Sequence, residues 1–290
     1  MIKTLTRKAN AKINLYLRVT GRRDDGYHLI KSVKQSVTLA DDVTISVDTD
    51  VRGLSVVLTC TDERIPTDGR NIAVKCAYAF FKRFGIENCA AEIHIEKKIP
   101  VSGGLAGGST DGAAVIRLLD ELLETKADEE MLISLGASVG ADIPFCLVGG
   151  CAICEGIGEK LTRLDIPEAQ YSVLLVSPGG GVSTPEAYRL IDEAGFIPCG
   201  CAVGEVVEAV QNCSLPEKLH NDFESVILPQ NEREADVKRL LSSYGAAAVQ
   251  MSGSGPTVFG LYESREECEN AAEIIKKHGY RAYVCEPERT

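Results

Sequence analysis

Residues 100–114 read Pro-Val-Ser-Gly-Gly-Leu-Ala-Gly-Gly-Ser-Thr-Asp-Gly-Ala-Ala. Four of the six residues from Gly103 to Gly108 have no Cβ. Ahead of them Ala91, Ile93 and Ile95 alternate as in a strand. Behind them Ala113, Ile116, Leu119, Leu122 and Leu123 recur at helical spacing, which predicts a helix over about 109–124. Glycine lets a backbone bend and approach a ligand, and the first amides of a helix have no partners within it. Together with the positive end of the helix dipole, such amides form an anion cradle whose natural guest is a nucleotide polyphosphate. Read alone, the loop is also open to a plainer account, a glycine-rich connector between strand and helix.

Two familiar phosphate loops are excluded. A Walker A loop needs Gly-Lys-Ser/Thr, and here Gly108-Ser109-Thr110 has no lysine. The dinucleotide pattern G-x-G-x-x-G is absent from the segment.

Composition sets the frame. The chain has 290 residues, 44% hydrophobic and 25% charged, as in an ordinary soluble globular protein with a sizeable core. No apolar run approaches the ~18 residues of a membrane span, and the start lacks a signal-peptide core, so a cytoplasmic location is expected. A net charge of −11 argues against nucleic acid as the main partner. A local basic patch can still meet a nucleotide, with Arg7, Lys8, Lys12, Lys97 and Lys98 as candidates. Of eleven cysteines, Cys151 and Cys154 form a lone C-x-x-C and Cys199 and Cys201 the only other close pair. A zinc site needs a second suitably spaced pair, so buried reduced thiols such as Cys76, Cys146 and Cys151 are expected.

The first half reads mostly as strands: the alternation Ile13, Leu15, Leu17, Val19, then 33–39, 43–47 and 54–60 with turn residues between them. Helices are predicted over about 71–84, ended by Gly85, and about 128–139, ended by Gly140. Strands follow at 145–148 and 151–155. Past about Leu164 the pattern is a buried strand at 171–176 and a helix opened by Thr184-Pro185 and reaching about 193. Helices at 203–211 and 233–244 and strands at 246–251 and 257–262 come next. Ser264 to Glu267 reads as a capping box for the last helix, which Gly279 closes before a strand at 281–285. The fold class is α+β, with a domain boundary near 160–168, giving residues 1–163 and 164–290.

Transfer of a phosphoryl group needs a phosphate cradle, a cation near the transferred group and a residue that orients the attacking hydroxyl. The cradle is Gly103–Thr110, where Ser109 or Thr110 can also offer a hydroxyl to Mg²⁺ or to a phosphate oxygen. Lys12 is the candidate cation; by strand parity it faces opposite Ile13, Leu15 and Leu17, on one face with Asn14. A solvated strand face is the other reading of that parity. Asp142, in Gly140-Ala-Asp-Ile-Pro144, follows a helix stop, and Pro144 pushes Ile143 toward extended backbone. An apolar strand is expected after it, which weakens an N-cap reading and leaves the carboxylate to accept the substrate proton. In Asp25-Gly-Tyr27-His28 a turn sets an aromatic beside an imidazole, suited to stacking a base and bonding its edge. A hairpin turn with a half-buried tyrosine also fits those four residues. His94, His220 and His278 carry no motif.

Together these segments resemble the kinase superfamily of galactokinase, homoserine kinase, mevalonate kinase and phosphomevalonate kinase, over essentially the whole chain. Its three motifs stand in order: Ala11-Lys-Ile-Asn-Leu15, Pro100–Ala114 and Met251-Ser-Gly-Ser-Gly-Pro-Thr257. The opening run through Asp25-Gly-Tyr-His28, with Gly140-Ala-Asp-Ile-Pro-Phe145 and Glu155-Gly-Ile-Gly-Glu159, looks like the branch that phosphorylates the 2-hydroxyl of a cytidine diphosphate-linked methylerythritol. That step lies on the non-mevalonate route to isoprenoid precursors. The resemblance implies a two-domain small-molecule kinase fold, N-terminal ribosomal protein S5 domain 2-like and C-terminal ferredoxin-like, with the site in the cleft between them. It implies ATP and Mg²⁺ and a monomer or weak homodimer. It further implies that Lys12 and Asp142 form the catalytic pair, and that Pro100, Gly103, Gly104, Leu105, Ala106, Gly107, Gly108, Ser109 and Thr110 hold the nucleotide. Asn71 and Lys97 fall on its adenosine side. Asn14, Tyr27, His28, Asp142 and Tyr188 fall on the alcohol substrate, with Tyr188 the nearest match to the second aromatic of a base clamp. Ala106 and Thr110 stand where many relatives have glycine and serine; each keeps a small side chain or a hydroxyl, so the cradle is expected to survive.

Two other functions are weighed. One is a sister kinase acting on homoserine, a mevalonate or a sugar, against which Asp25-Gly-Tyr-His28 would have no task. The other is a catalytically dead sensor of ATP and a metabolite, against which stands the retention of Lys12 and Asp142.

Overall fold

A computed structural model describes residues 2–166, 171–195 and 197–289. Residues 167 and 168 of the expected boundary segment lie outside them. By backbone contacts the chain divides into two compact units, each discontinuous in sequence. One holds residues up to Ala11 with Ala40–Val101 and Ala106–Val148; the other holds Lys12–Leu39, Ser102–Leu105 and the chain from Gly149 onward. This division runs differently from 1–163 and 164–290.

In the first unit, strands β3 (Leu54–Cys60) and β4 (Cys89–Glu96) pair in parallel, and β4 pairs antiparallel with the later half of β2 (His28–Asp48). The first residues of β1 (Lys3–Arg22) lie beside β2. Val43, Ile45, Val47, Ile93 and Ile95 alternate onto one face, where helices α1 (Ile72–Phe84), α2 (Gly107–Leu123) and α3 (Glu129–Val139) bring Phe80, Phe81, Val115, Ile116, Leu119 and Leu132. The opposite face is polar: Thr6 bonds Thr44 and Thr4 bonds Ser46 across the strands. One covered face and one hydroxyl-bearing face are what period-2 patterning produces.

Asn71 caps α1 by accepting the Ala73 amide at 2.8 Å, and Gly85 ends it at φ 64°. Asp128 caps α3 by accepting the Met131 amide at 2.7 Å. Both match the sequence signals. Two expectations fail. The turn expected near residues 40–42 is absent, and β2 runs unbroken, because Asp41 is a fully buried ion-pair partner rather than a turn residue. The strand expected at 145–148 is helix α4 (Ile143–Val148). The backbone carbonyl of Asp142 starts it by accepting the Cys146 amide at 3.1 Å, and Pro144 sits in the first turn, where no N–H is needed. Gly136 of α3 permits this packing: a Cβ there would meet Ile143 at 2.7 Å and Leu147 at 2.9 Å.

In the second unit, the early half of β2 pairs antiparallel with β5 (Cys151–Glu155), and β5 with β6 (Lys160–Leu164). The later part of β1 pairs in parallel with the short β8 (His220–Asn221). A separate antiparallel sheet has the order β11 (Arg281–Cys285), β7 (Ser172–Ser177), β10 (Val258–Tyr262), β9 (Ala248–Met251). Taken in chain order that is 4-1-3-2, the ferredoxin-like arrangement expected. Leu174, Val176, Met251 and Val258 face helices α5 (Thr184–Ala194), α7 (Asp222–Ile227), α8 (Glu232–Ser243) and α9 (Arg265–Lys277), which contribute Ala187, Ile191, Phe223, Val237, Leu241 and Ile275. Helix α6 (Val203–Gln211) stands where its spacing placed it. The cap of α5 is Ser183 rather than Thr184, which moves Pro185 one position further into the first turn. Strands β6 and β8 and helix α7 had no distinct sequence signal.

Candidate active site

The bend at Ser102–Leu105 is held by distant parts of the second unit. Gly103 accepts the Thr257 amide at 3.3 Å and Leu105 the Lys12 amide at 3.1 Å. The Gly104 carbonyl accepts both the Lys12 ammonium at 2.7 Å and the Ser252 hydroxyl at 3.0 Å. Gly104 lies at φ 73°, and a Cβ there would stand 2.2 Å from the Ser252 carbonyl and 2.8 Å from that of Gly255. Only glycine fits. The first and third motifs thus converge on the loop of the second.

Lys12 is 4% exposed, so it does not belong to a solvated strand face. Its ammonium also donates to Asn14 Oδ1 at 2.7 Å. Asn14 in turn donates to the Ser32 hydroxyl at 2.8 Å, and Ser32 to the Tyr16 carbonyl at 2.7 Å. This relay fixes the amide so that its oxygen faces the lysine. Strand parity found the pair; Ser32 carried no sequence signal, and Ser252 stood only as a member of the third motif.

In the first unit, α2 begins at Gly107 behind Ala106, which sits at φ 59° and gives no side-chain cap. The first bond of its ladder joins the Thr110 amide to the Ala106 carbonyl at 2.9 Å, so the amides of Gly107, Gly108 and Ser109 lie ahead of the ladder. The Thr110 hydroxyl donates to the Asn10 carbonyl at 2.8 Å, while Ser109 is half-buried. One turn on, Asp111 meets Lys97 at 2.9 Å, and Lys97 also pairs with Asp41. Asp41 further accepts the amides of Lys98 and Ile99. Burial pushes the Asp111 carboxyl up to about 7, with Lys97 pulling the other way and Asp41 adding to the rise. Burial works to lower Lys97, but the two carboxylates win and raise it. Asp111 was legible only as a charge on a buried helical face. Of the expected basic patch, Lys97 is held by these carboxylates and Lys98 by Asp42. The side chain of Asn71 is engaged with Ala73 and Pro66.

Asp142, also in the first unit, is half-buried at the start of α4. Cys76 and Cys151 are buried, and burial pushes the Cys76 thiol up to about 12. Among the described residues no group of three or more His, Cys, Asp and Glu side chains could hold a metal ion.

The aromatic group lies in the second unit. Asp25 accepts the Tyr27 amide at 3.2 Å, closing a turn with Gly26 at φ 91° and leaving Tyr27 61% exposed. His28 stacks on Tyr188 with ring centroids 4.4 Å apart and planes 14° from parallel. Phe223 supports Tyr188 edge-on at 5.0 Å, and Asp192 holds His28 Nε2 at 2.7 Å. A cavity of about 520 Å³ opens beside His28, lined also by Arg18, Arg22 and Asp192. The structure thus brings His28 and Tyr188 together across 160 positions of sequence; Asp192 and Phe223 were not anticipated.

With that geometry in view, residues 71–150 match the GHMP kinases N terminal domain family and residues 209–281 the GHMP kinases C terminal family, which sets the class as a two-domain GHMP kinase. A 4-diphosphocytidyl-2-C-methyl-D-erythritol kinase of Clostridium tetani (strain Massachusetts / E88) is 38% identical over 280 residues, 96% of this chain and 98% of the relative. A crystal structure of 4-(cytidine 5'-diphospho)-2C-methyl-D-erythritol kinase aligns with a TM-score of 0.80 at 30% identity, covering 97% of this chain and 98% of the other. Homoserine kinase from Cytophaga hutchinsonii aligns with a TM-score of 0.73 at 21% identity over 99% of this chain and 96% of its own, a likeness of fold alone. The chain belongs to the 4-diphosphocytidyl-2-C-methyl-D-erythritol kinase family.

Proposed function

We propose that this chain transfers the γ-phosphoryl group of ATP to the 2-hydroxyl of 4-diphosphocytidyl-2-C-methyl-D-erythritol, a step of the non-mevalonate route to isoprenoid precursors. The observation that carries this choice of alcohol is the stack of His28 on Tyr188 beside the exposed Tyr27. A flat aromatic group of this kind suits a nucleobase and would have no task on homoserine or mevalonate.

In this reading Asp142 accepts the proton of the 2-hydroxyl as its oxygen bonds to the γ-phosphorus, and the bond to the β–γ bridging oxygen breaks to release ADP. The Lys12 ammonium stabilises the charge on the transferred group, and Asn14 orients the lysine and meets the substrate. Amides of the run from Gly103 to Ser109, with Pro100, Leu105 and Thr110 shaping it, receive the phosphates. Asn71 and Lys97 face the adenosine, Lys97 with its charge already balanced by Asp41 and Asp111. When bound, Mg²⁺ neutralises phosphate charge, and Ser109, ahead of Thr110, is the hydroxyl that would meet it. Tyr27, His28 and Tyr188 grip the cytosine.

We further propose residues 1–163 as the ATP-binding and catalytic part, 164–290 as the ferredoxin-like part, a cytoplasmic location, and a monomer or weak homodimer. No helix among the described residues is long and apolar enough to cross a membrane.

The test is ADP release measured on a panel of the cytidyl substrate, homoserine, mevalonate and galactose. Turnover of the cytidyl substrate alone is expected. Turnover of another alcohol without it overturns the substrate, and no ADP release from any overturns catalysis in favour of a sensor.

A further inference from the structure

We infer that Asn221 is a positioning residue for Lys12, acting through the loop that carries the third motif. Asn221 is 4% exposed and ends β8, where it is registered against Leu17 of β1. Its Nδ2 donates to two carbonyls of one loop, Met251 at 2.7 Å and Gly253 at 2.8 Å. Its Oδ1 accepts the Phe223 amide at 3.0 Å and so starts α7. Both amide hydrogens therefore clamp the two residues that flank Ser252.

Ser252 is the link onward. Its hydroxyl donates to the Gly104 carbonyl at 3.0 Å, and that same oxygen receives the Lys12 ammonium at 2.7 Å. Gly253 lies at φ 57°, and a Cβ there would come within 3.3 Å of the Gly104 carbonyl and 3.4 Å of the Lys12 Nζ. The loop thus packs directly over the lysine's acceptor. A shift of Gly253 moves Ser252, and with it the carbonyl that aims the ammonium. Asparagine suits this post because it gives two donors and one acceptor in one plane. Aspartate has the same shape and keeps the acceptor, but it would turn carboxylate oxygens toward two carbonyls.

The inference rests on Lys12 acting on the phosphoryl group, so Lys12→Ala is measured beside the test variants. Misplacement by about 1 Å can cost about a hundredfold in rate. Asn221→Asp is expected to lower kcat by about 10- to 100-fold, with KM for ATP and for the cytidyl substrate each within about threefold of wild type. Ser252→Ala is expected to lower kcat by about 3- to 10-fold, and the double variant to lose little more than Asn221→Asp alone, since both cut one route. A merely structural asparagine would lower the thermal midpoint without this split between kcat and KM. A folded Asn221→Asp enzyme with kcat within about twofold of wild type overturns the inference, as do losses that multiply in the double variant. If Asn221→Asp does not fold, Ser252→Ala decides, and a kcat within about twofold of wild type is again the overturning result. Unchanged kcat in Lys12→Ala removes the lysine's role and the inference with it; loss there with Asn221→Asp unaffected overturns the inference alone.

Discussion

The ammonium of Lys12 donates to the carbonyl of Gly104 at 2.7 Å across 92 positions of sequence. That bond ties the glycine-rich bend to the lysine. The carbonyl that aims the lysine belongs to the bend expected to receive the nucleotide, so a displacement of either disturbs both.

Gly104→Ala is therefore expected to be severe. The new methyl would meet the Ser252 and Gly255 carbonyls at 2.2 and 2.8 Å with φ at 73°, and backbone cannot swing aside as a side chain can. Overpacking and left-handed strain together give a loss of about 2–5 kcal/mol. Thermal unfolding and ADP release check it; a variant with wild-type midpoint and activity would contradict the packing described.

Two residues on, the expected sign reverses. Ala106 holds φ 59°, so Ala106→Gly removes left-handed strain of about 1–2 kcal/mol while adding about 0.5–1 kcal/mol of unfolded-state entropy. The net gain of about 0.5 kcal/mol corresponds to a rise in midpoint of roughly 1–2 °C. A clear fall in the midpoint would sink this account.

Kinetics should separate chemistry from grip. Asp142→Ala is expected to lose kcat by about a thousandfold or more with ATP affinity retained, because proton acceptance and orientation go together. Tyr27→Ala is expected to raise KM for the cytidyl substrate with kcat nearly unchanged, since stacking worth ~1–3 kcal/mol acts alike in ground and transition states. Steady-state rates at varied concentrations of each substrate decide; activity of Asp142→Ala within about threefold of wild type, or a pure kcat loss in Tyr27→Ala, would reverse the assignments.

The buried triad gives stability a pH dependence. Burial raises Asp111 from 3.8 to about 7, so between those values the folded chain holds a proton that the unfolded chain releases. The stabilisation from this group is full below about pH 4, declines as pH rises, and is gone above about pH 7. Lys97, raised by its carboxylates, stays charged across that window. Asp111→Asn cannot titrate, so its midpoint minus that of wild type should become more positive from about pH 4 to about pH 7 and then level off. Differential scanning at a series of pH values reads this directly, and a flat difference would mean the carboxyl does not titrate in that range.

Local signals carried much of the fold. Asn71, Asp128 and Ser264 mark helix starts by accepting amides two or three residues on, and Gly85 and Gly140 mark helix ends by donating their amides to carbonyls four residues back, so short sequence windows contain the whole cause. The failures were residues whose partners lie outside such a short window. Asp41 looks like turn chemistry until Lys97 is beside it, and Ile143–Val148 is apolar enough for a strand until Gly136 admits it as a helix against α3.

The same division holds at the site. By itself the sequence determined the glycine-rich bend, the Lys12–Asn14 face, the turn that presents Tyr27 and the order of the three motifs, because glycine content, strand parity and turn residues act over a few bonds. Only the tertiary structure decided that Gly104 joins Lys12 to Ser252, that His28 lies on Tyr188, and that Asn221 clamps the third motif. Those arrangements depend on buried hydrogen bonds and ring contacts between segments up to 160 positions apart, and a buried donor finds its acceptor by packing, not by spacing along the chain.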